Sequence, residues 1–261
     1  MGLTAVTAAL VLAVSPVSFV AAHASNGAFA EPGGTAGPEL TAWAVLGLRA
    51  AGSPAPGSLD YLRAQEGSLA ESTDVALVAL AEEALGAQPD ALLARLTVKR
   101  NGQIGPTLNS TFWGVLALGH AGPATVRFLL AHQASGGGFP WGIGGQPDSN
   151  DTAAALEALH VVGVHGAPVT KAVRFLLTFE NRDGGFELTR GRGSDTQSTA
   201  WAIQGLVAAG RSPPRAAFAY LALMRRPDGS YRYSAKYVTT PVWVTSQVLA
   251  ALARKPFPLR P

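Results

Sequence analysis

The chain has 261 residues, no cysteine, and a formal net charge of only +3, from 20 Lys and Arg against 17 Asp and Glu. Its apolar share of 48% is enough for a sizeable core and excludes general disorder. The missing cysteines exclude disulfides, thiolate zinc sites and cysteine nucleophiles, and no basic run interleaved with aromatics offers a nucleic-acid surface.

The first charged side chain is Glu31. Ahead of it, Leu3 to Ala22 is a nearly unbroken apolar run that ends in Ala22-His23-Ala24, an A-x-A pattern. A secretory signal over residues 1–24 is the expectation, with an uncleaved anchor as the alternative. That leaves a mature domain at 25–261, secreted or extracytoplasmic. Only the Met1 amine supplies positive charge before the run.

From Thr41 onward one unit recurs about six times, at about 32 to 47 residues, the range of stacked helical repeats. Clear copies are "TAWAVLGLRAAG" at Thr41, "TFWGVLALGHAG" at Thr111, "TAAALEALHVVG" at Thr152 and "TAWAIQGLVAAG" at Thr199, each running from Thr to a Gly eleven positions later. Weaker copies begin at Thr73 and Thr245. A polar cap precedes each apolar run, and Gly follows every run but the one at Thr245, the start and stop signals of a helix. These helices are apolar on nearly every side, which predicts an inner layer surrounded by protein.

Between them lie amphipathic segments whose charges fall at helical spacing: "LDYLRAQE" from Leu59, "ALLARLTVKR" from Ala91, "VRFLLAHQ" from Val126, "AVRFLLTFE" from Ala172 and "AAFAYLALMRR" from Ala216. These predict an outer, solvent-facing layer. Glycine turns follow: "SNGAF" ending at Phe29, "SGGGF" at Phe139, "RDGGF" at Phe186 and "PDGSY" at Tyr231. In them Asp183 and Asp228 read as turn residues, and the aromatic plugs the gap between units. The whole predicts an all-α fold, an α/α toroid of about six helix-turn-helix repeats in one domain, with "AGSPAPGSLD" as one long connection.

The outer-helix-plus-turn units "FLLAHQASGGGF" and "FLLTFENRDGGF" resemble the QW-type repeats of the prenyltransferase and squalene-oxidase superfamily, over about residues 17 to 253. "FVAAHASNGAF" looks like a degenerate copy, which would make residues 17–24 part of a first outer helix. In class II cyclases of that superfamily the resembling motif D-x-D-D-T-A opens an inner helix, and its middle Asp protonates an alkene or epoxide. Here "PDSNDTA" supplies Asp148, Asp151, Thr152 and Ala153, but the acid's position holds Asn150, and an amide cannot deliver that proton. As catalysts, Asp148 or Asp151 would need an apolar cavity that keeps one of them protonated. As helix caps or first-turn acids they need none, and the same holds for Asp195 in "GSDTQSTAW" and for Asp74.

The zinc of prenyltransferase β subunits is ruled out without cysteine, and the five histidines show no H-x-x-x-H pairing; no metal or cofactor is implied. Trp43, Trp113 and Trp201 each stand two residues after a repeat Thr, with Phe112 and Trp243 close to the equivalent region. Facing the centre, together with Asp195 at a helix start, they would line a pocket for an isoprenoid or similar apolar molecule. Packed between layers they would be core. The leading expectation is an exported toroid that binds an apolar small molecule, a lipid or a cell-envelope partner without cyclase chemistry. A protonation-initiated terpene cyclase and a filled-core interaction module are the alternatives.

Overall fold

The computed structural model describes residues 14–259. The amine-terminal part of the predicted signal, residues 1–13, lies outside them. Six helices form an inner ring: α2 (Pro38–Ala50), α4 (Ser72–Ala84), α6 (Leu108–Leu118), α8 (Ser149–Val161), α10 (Thr196–Ala208) and α12 (Pro241–Ala253). Each packs on the next, and α12 packs back on α2, so the ring closes into an α/α toroid. The outer helices are α1 (Pro16–Ala21), α3 (Ser58–Gln65), α5 (Asp90–Leu93), α7 (Pro123–Ala131), α9 (Ala167–Leu177) and α11 (Arg215–Met224). Two short hairpins, β1 (Ala24–Ser25) with β2 (Ala28–Phe29) and β3 (Phe139–Pro140) with β4 (Pro147–Asp148), are antiparallel.

The repeat Thr fixes each glycine turn to the inner helix that follows. The backbone N–H of Phe29 donates to Thr41 Oγ1 (3.0 Å), Phe139 to Thr152 (3.0 Å), Phe186 to Thr199 (2.9 Å) and Tyr231 to Thr245 (2.9 Å). Ile104 does the same to Thr111 at 3.2 Å, which reveals a fifth turn of this kind, "NGQI", with no aromatic to mark it. All five Thr side chains are buried, so each turn N–H is satisfied where water cannot reach it.

The turn glycines press on the amino-terminal half of the next outer helix. A Cβ at Gly137 would lie 2.4 Å from the Lys171 carbonyl oxygen, and one at Gly184 would lie 2.6 Å from that of Ala216. Both glycines also have positive φ, +98° and +82°, so no other residue suits either the space or the backbone.

The α4 unit departs from the expected register. Its equivalent of the repeat Thr is Val75, eleven residues before Gly86, and not Thr73. With no hydroxyl there, no glycine turn precedes α4. The gap is bridged by Arg95, whose guanidinium donates to the carbonyls of Glu66 and Leu69. The segment predicted as an outer helix from Ala91 forms only the single turn of α5, because after Leu96 the chain extends to pair Val98 with Ile104.

The ring closes at a seam between α2 and α12. Gly47 allows the close approach, since a Cβ there would sit 2.4 Å from the Ser246 carbonyl oxygen. Outside it, α1 packs on both α12 and α2, and Arg225 Nη2 donates to the Val14 carbonyl (2.9 Å). Glu31 spans the same seam, accepting from the N–H groups of Val242 (2.9 Å) and Trp243 (2.8 Å) at the start of α12.

Thr199→Val keeps the shape but strands the buried Phe186 N–H. We expect a loss of about 1–3 kcal/mol in urea unfolding, with Thr245→Val behaving alike.

Candidate functional site

The first turns of α6, α8 and α10 surround a cavity of about 400 Å³ at one face of the ring, lined by Trp43, Asn109, Trp113, Trp141, Asp148, Asn150, Asp151, Ala154, Leu188, Gln197 and Trp201. Its floor is three indoles. Trp43, Trp113 and Trp201 meet at centroid distances of 5.5, 6.0 and 5.7 Å with planes 85–86° apart, each edge against a neighbour's face. That is the arrangement an aromatic quadrupole favours. The three come from alternate helices of the ring; at the same register stand Leu77, Ala154 and Gln247. The centre is therefore filled at mid-height and open above.

Asp148 is the N-cap of α8: its Oδ1 accepts the Asp151 N–H at 2.8 Å. Asp195 caps α10 in the same way, accepting from Ser198 N–H (2.7 Å) and Ser198 Oγ (2.9 Å). Capping accounts for these two, but not for Asp151, whose Oδ1 accepts from Asn109 Nδ2 on α6 at 2.7 Å. Asp151 is 6% exposed. Burial pushes its carboxyl up to about 8, and the Asp148 charge and the hydrogen bond to Asp148 push the same way, against the Asn109 amide. Burial also raises Asp148, although its hydrogen bonds to Asp151 and Asn150 favour its ionised form. The pair therefore holds a proton at neutral pH. Asp74, on the first turn of α4, is raised to about 6 by burial and by Glu39 and Glu71.

The other predicted residues lie elsewhere. Phe112 is fully buried and packs T-shaped on Phe139 (5.7 Å), so it faces the layer boundary and not the centre. Trp243 is half-buried at the seam, with Glu31 on its backbone N–H. Asp195 borders a separate groove of about 570 Å³ with Arg192, Tyr233 and Lys236. Asp183 and Asp228 are turn residues: each accepts from the backbone N–H two positions on, Gly185 and Ser230, at 3.0 Å.

Asn109 and Gln197 were not singled out in the sequence, yet each stands two residues before a repeat Thr, as Asn150 does. That register is the signal that marks the cavity wall. Trp141 and Leu188 sit on the loops after the glycine turns, where no periodicity points to them.

The sequence matches no family model and no curated protein. Solved structures match it closely in shape. A protein from Actinoplanes superposes with a TM-score of 0.70 at 18% identity, covering 92% of this chain and 97% of that one. The type II terpene cyclase MstE from Scytonema, with its substrate geranylgeranyl dihydroxybenzoate, gives 0.67 at 17%, covering 91% and 94%. The ent-copalyl diphosphate synthase from Streptomyces platensis gives 0.57 at 23%, covering 83% of this chain and 50% of that one. The fold is thus the squalene-cyclase-like toroid of the type II terpene cyclases. A glycosidase shares it as well, with a TM-score of 0.65 at 13% identity over 92% of this chain and 94% of that one, so activity must be read from the site.

The folded protein keeps a proton on Asp151 that the unfolded chain releases at the ordinary carboxylate value. Stability from this group is present at acid pH and falls as the pH rises toward about 8. Asp151→Asn should lessen the fall in melting temperature between pH 5 and pH 8 and leave the part due to Glu157, whose carboxyl burial also raises to about 8; an unchanged slope would place the proton elsewhere.

Proposed function

We propose that this protein binds an elongated apolar molecule of isoprenoid type in the cavity above the tryptophan triad, and that it does so without cyclising it. The observation that carries the reading is the pairing of an indole floor with one polar wall. Trp43, Trp113 and Trp201 offer apolar contact, while Asp148, Asp151, Asn109 and Asn150 offer hydrogen bonds to a single terminal hydroxyl. Its volume of about 400 Å³ suits one such chain. MstE carries a geranylgeranyl compound on the same fold, which supports this ligand class.

One feature argues against proton-initiated catalysis: Asn150 lines the cavity where a class II cyclase would have its acid. One observation favours the second reading, a cyclase: Asp151 is protonated at neutral pH beside indole faces that would stabilise a carbocation.

Export to the cell envelope belongs to the same proposal, on the strength of the apolar run before His23. Since Ser15 Oγ caps α1 and the Val14 carbonyl accepts from Arg225, a cleavage that spares the seam falls before Val14, and the mass of the exported protein reports it.

Titration with geranylgeraniol, followed by tryptophan fluorescence, should give saturable quenching at one molecule per chain. Ala154→Phe, which fills the cavity from the wall, should abolish it. Absence of saturable binding to the native chain would overturn the proposal. A cyclised hydrocarbon in the extract, lost in Asp151→Asn, would establish the cyclase instead.

A further inference from the structure

The face of the toroid opposite the cavity is crossed by the segment after α12. Arg254 turns left-handed (φ 52°), and residues 255–259 run over the ends of the inner helices. From this strap Phe257 enters the barrel. It is 1% exposed, and its ring lies 6.1 Å from that of Trp43, on the underside of the triad. Its backbone N–H donates to Glu157 Oε2 at 3.3 Å.

The strap covers the mouth without filling it. A cavity of about 550 Å³ borders it toward Arg49 and Ala84, and another of about 360 Å³ borders it toward Gly119 and His160. Its backbone anchors among the described residues are slight: Lys255 N–H to the Ala250 carbonyl (3.2 Å) and the long bond from Phe257. Opening the strap therefore costs chiefly the burial of the Phe257 ring.

The inner helices carry buried polar groups that packing does not require, and Phe257 meets one of them, Glu157. Glu157 is wholly buried, with Oε1 unpartnered, and burial raises its carboxyl to about 8. On the adjacent helix Gln204 stands five residues after its repeat Thr, as Glu157 does after Thr152; Gln247 on α12 takes the register position of the triad tryptophans. Both glutamines are fully buried with the amide oxygen and nitrogen unpartnered. Buried polar atoms left unpaired are costly and uncommon, and point to a use.

We propose that the space filled by Phe257 is a second ligand site, separate from the cavity above the triad, and that the strap is its resident occupant. The site takes a compact aromatic alcohol: a phenyl-sized ring against Trp43, two carbons, and one neutral donor to the Glu157 carboxyl. The path from the Phe257 nitrogen through Cα and Cβ to the ring has this length, and 2-phenylethanol reproduces it with a hydroxyl in place of the N–H. The donor that Phe257 presents to Glu157 is an uncharged N–H, and a hydroxyl reproduces it where an ammonium would bring a charge into a buried site.

The test uses 2-phenylethanol, propylbenzene as the partner without a donor, and 2-phenylethylamine as the cation, measured by calorimetry. Truncation alone would make a hole that accepts any ring, so the discriminating readout is preference. Phe257→Ala should bind 2-phenylethanol about tenfold more tightly than propylbenzene and about tenfold more tightly than the native chain does, since the competing occupant is gone. Adding Glu157→Leu should erase the preference for the alcohol. In the native chain, saturating 2-phenylethanol should speed hydrogen exchange at Lys255, Phe257 and Leu259, a readout that needs no variant to fold. Ala154→Phe should leave all of this unchanged, which separates the site from the cavity of the opposite face. Equal affinity for alcohol and hydrocarbon, tighter binding of the amine, or a strap whose exchange does not respond would each overturn the proposal.

Discussion

Six helices packed side by side in a ring cannot fill their own axis. With neighbours about 10 Å apart, the ring leaves a central hole about as wide as a seventh helix, and large side chains must occupy it. The indoles of Trp43, Trp113 and Trp201 do this, edge against face, from three alternate helices, while Leu77, Ala154 and Gln247 between them stay smaller. The plug divides the axis into an upper chamber and a lower one. The upper chamber is walled by Asn109, Asn150 and Asp151; the lower one is reached by Phe257 and Glu157. Both sites exist because one layer of three side chains is thinner than the helices around it.

Much of the fold was legible because most repeats encode their own clamp. A Thr at the fourth helical position, a Gly eleven residues later and a glycine turn before the helix recur together, and the hydrogen bond from turn to Thr explains why they do. Legibility failed where the clamp is missing or disguised. In α4, Val75 holds the Thr position, so Thr73 attracts the eye two residues too early. At Ile104 the turn survives without its aromatic. The segment after Ala91 has helical periodicity, but the extended pairing of Val98 with Ile104 overrides it.

The site was legible only in part, for a physical reason. Asp148 and Asp151 were recognisable as a pair at a helix start, yet a sequence cannot tell a cap from an acid, because both begin a helix. The difference lies in what stands on the next helix: the Asn109 amide reaches Asp151 and not Asp148. Phe112 and Trp113 are neighbours in sequence and face different ways, one against Phe139 and one into the triad, as a helix turning about 100° per residue requires. Gln204 and Glu157 gave no signal at all, since isolated polar residues in an apolar helix carry no pattern.

The seam has a consequence for how the molecule comes into being. Open stacks of repeats can nucleate anywhere and grow by nearest-neighbour contacts. Here the bonds that join the ends, Val14 to Arg225 and Glu31 to Val242, link residues 211 apart in sequence. Closing a loop of that length is paid for only at the last step, so the ring is complete only when α12 has been made and has found α1 and α2. Five repeats can assemble as a growing arc, but the triad needs Trp43 and Trp201 from either side of the gap. The centre becomes dry, and the two chambers become separate, in the same event that turns the arc into a circle.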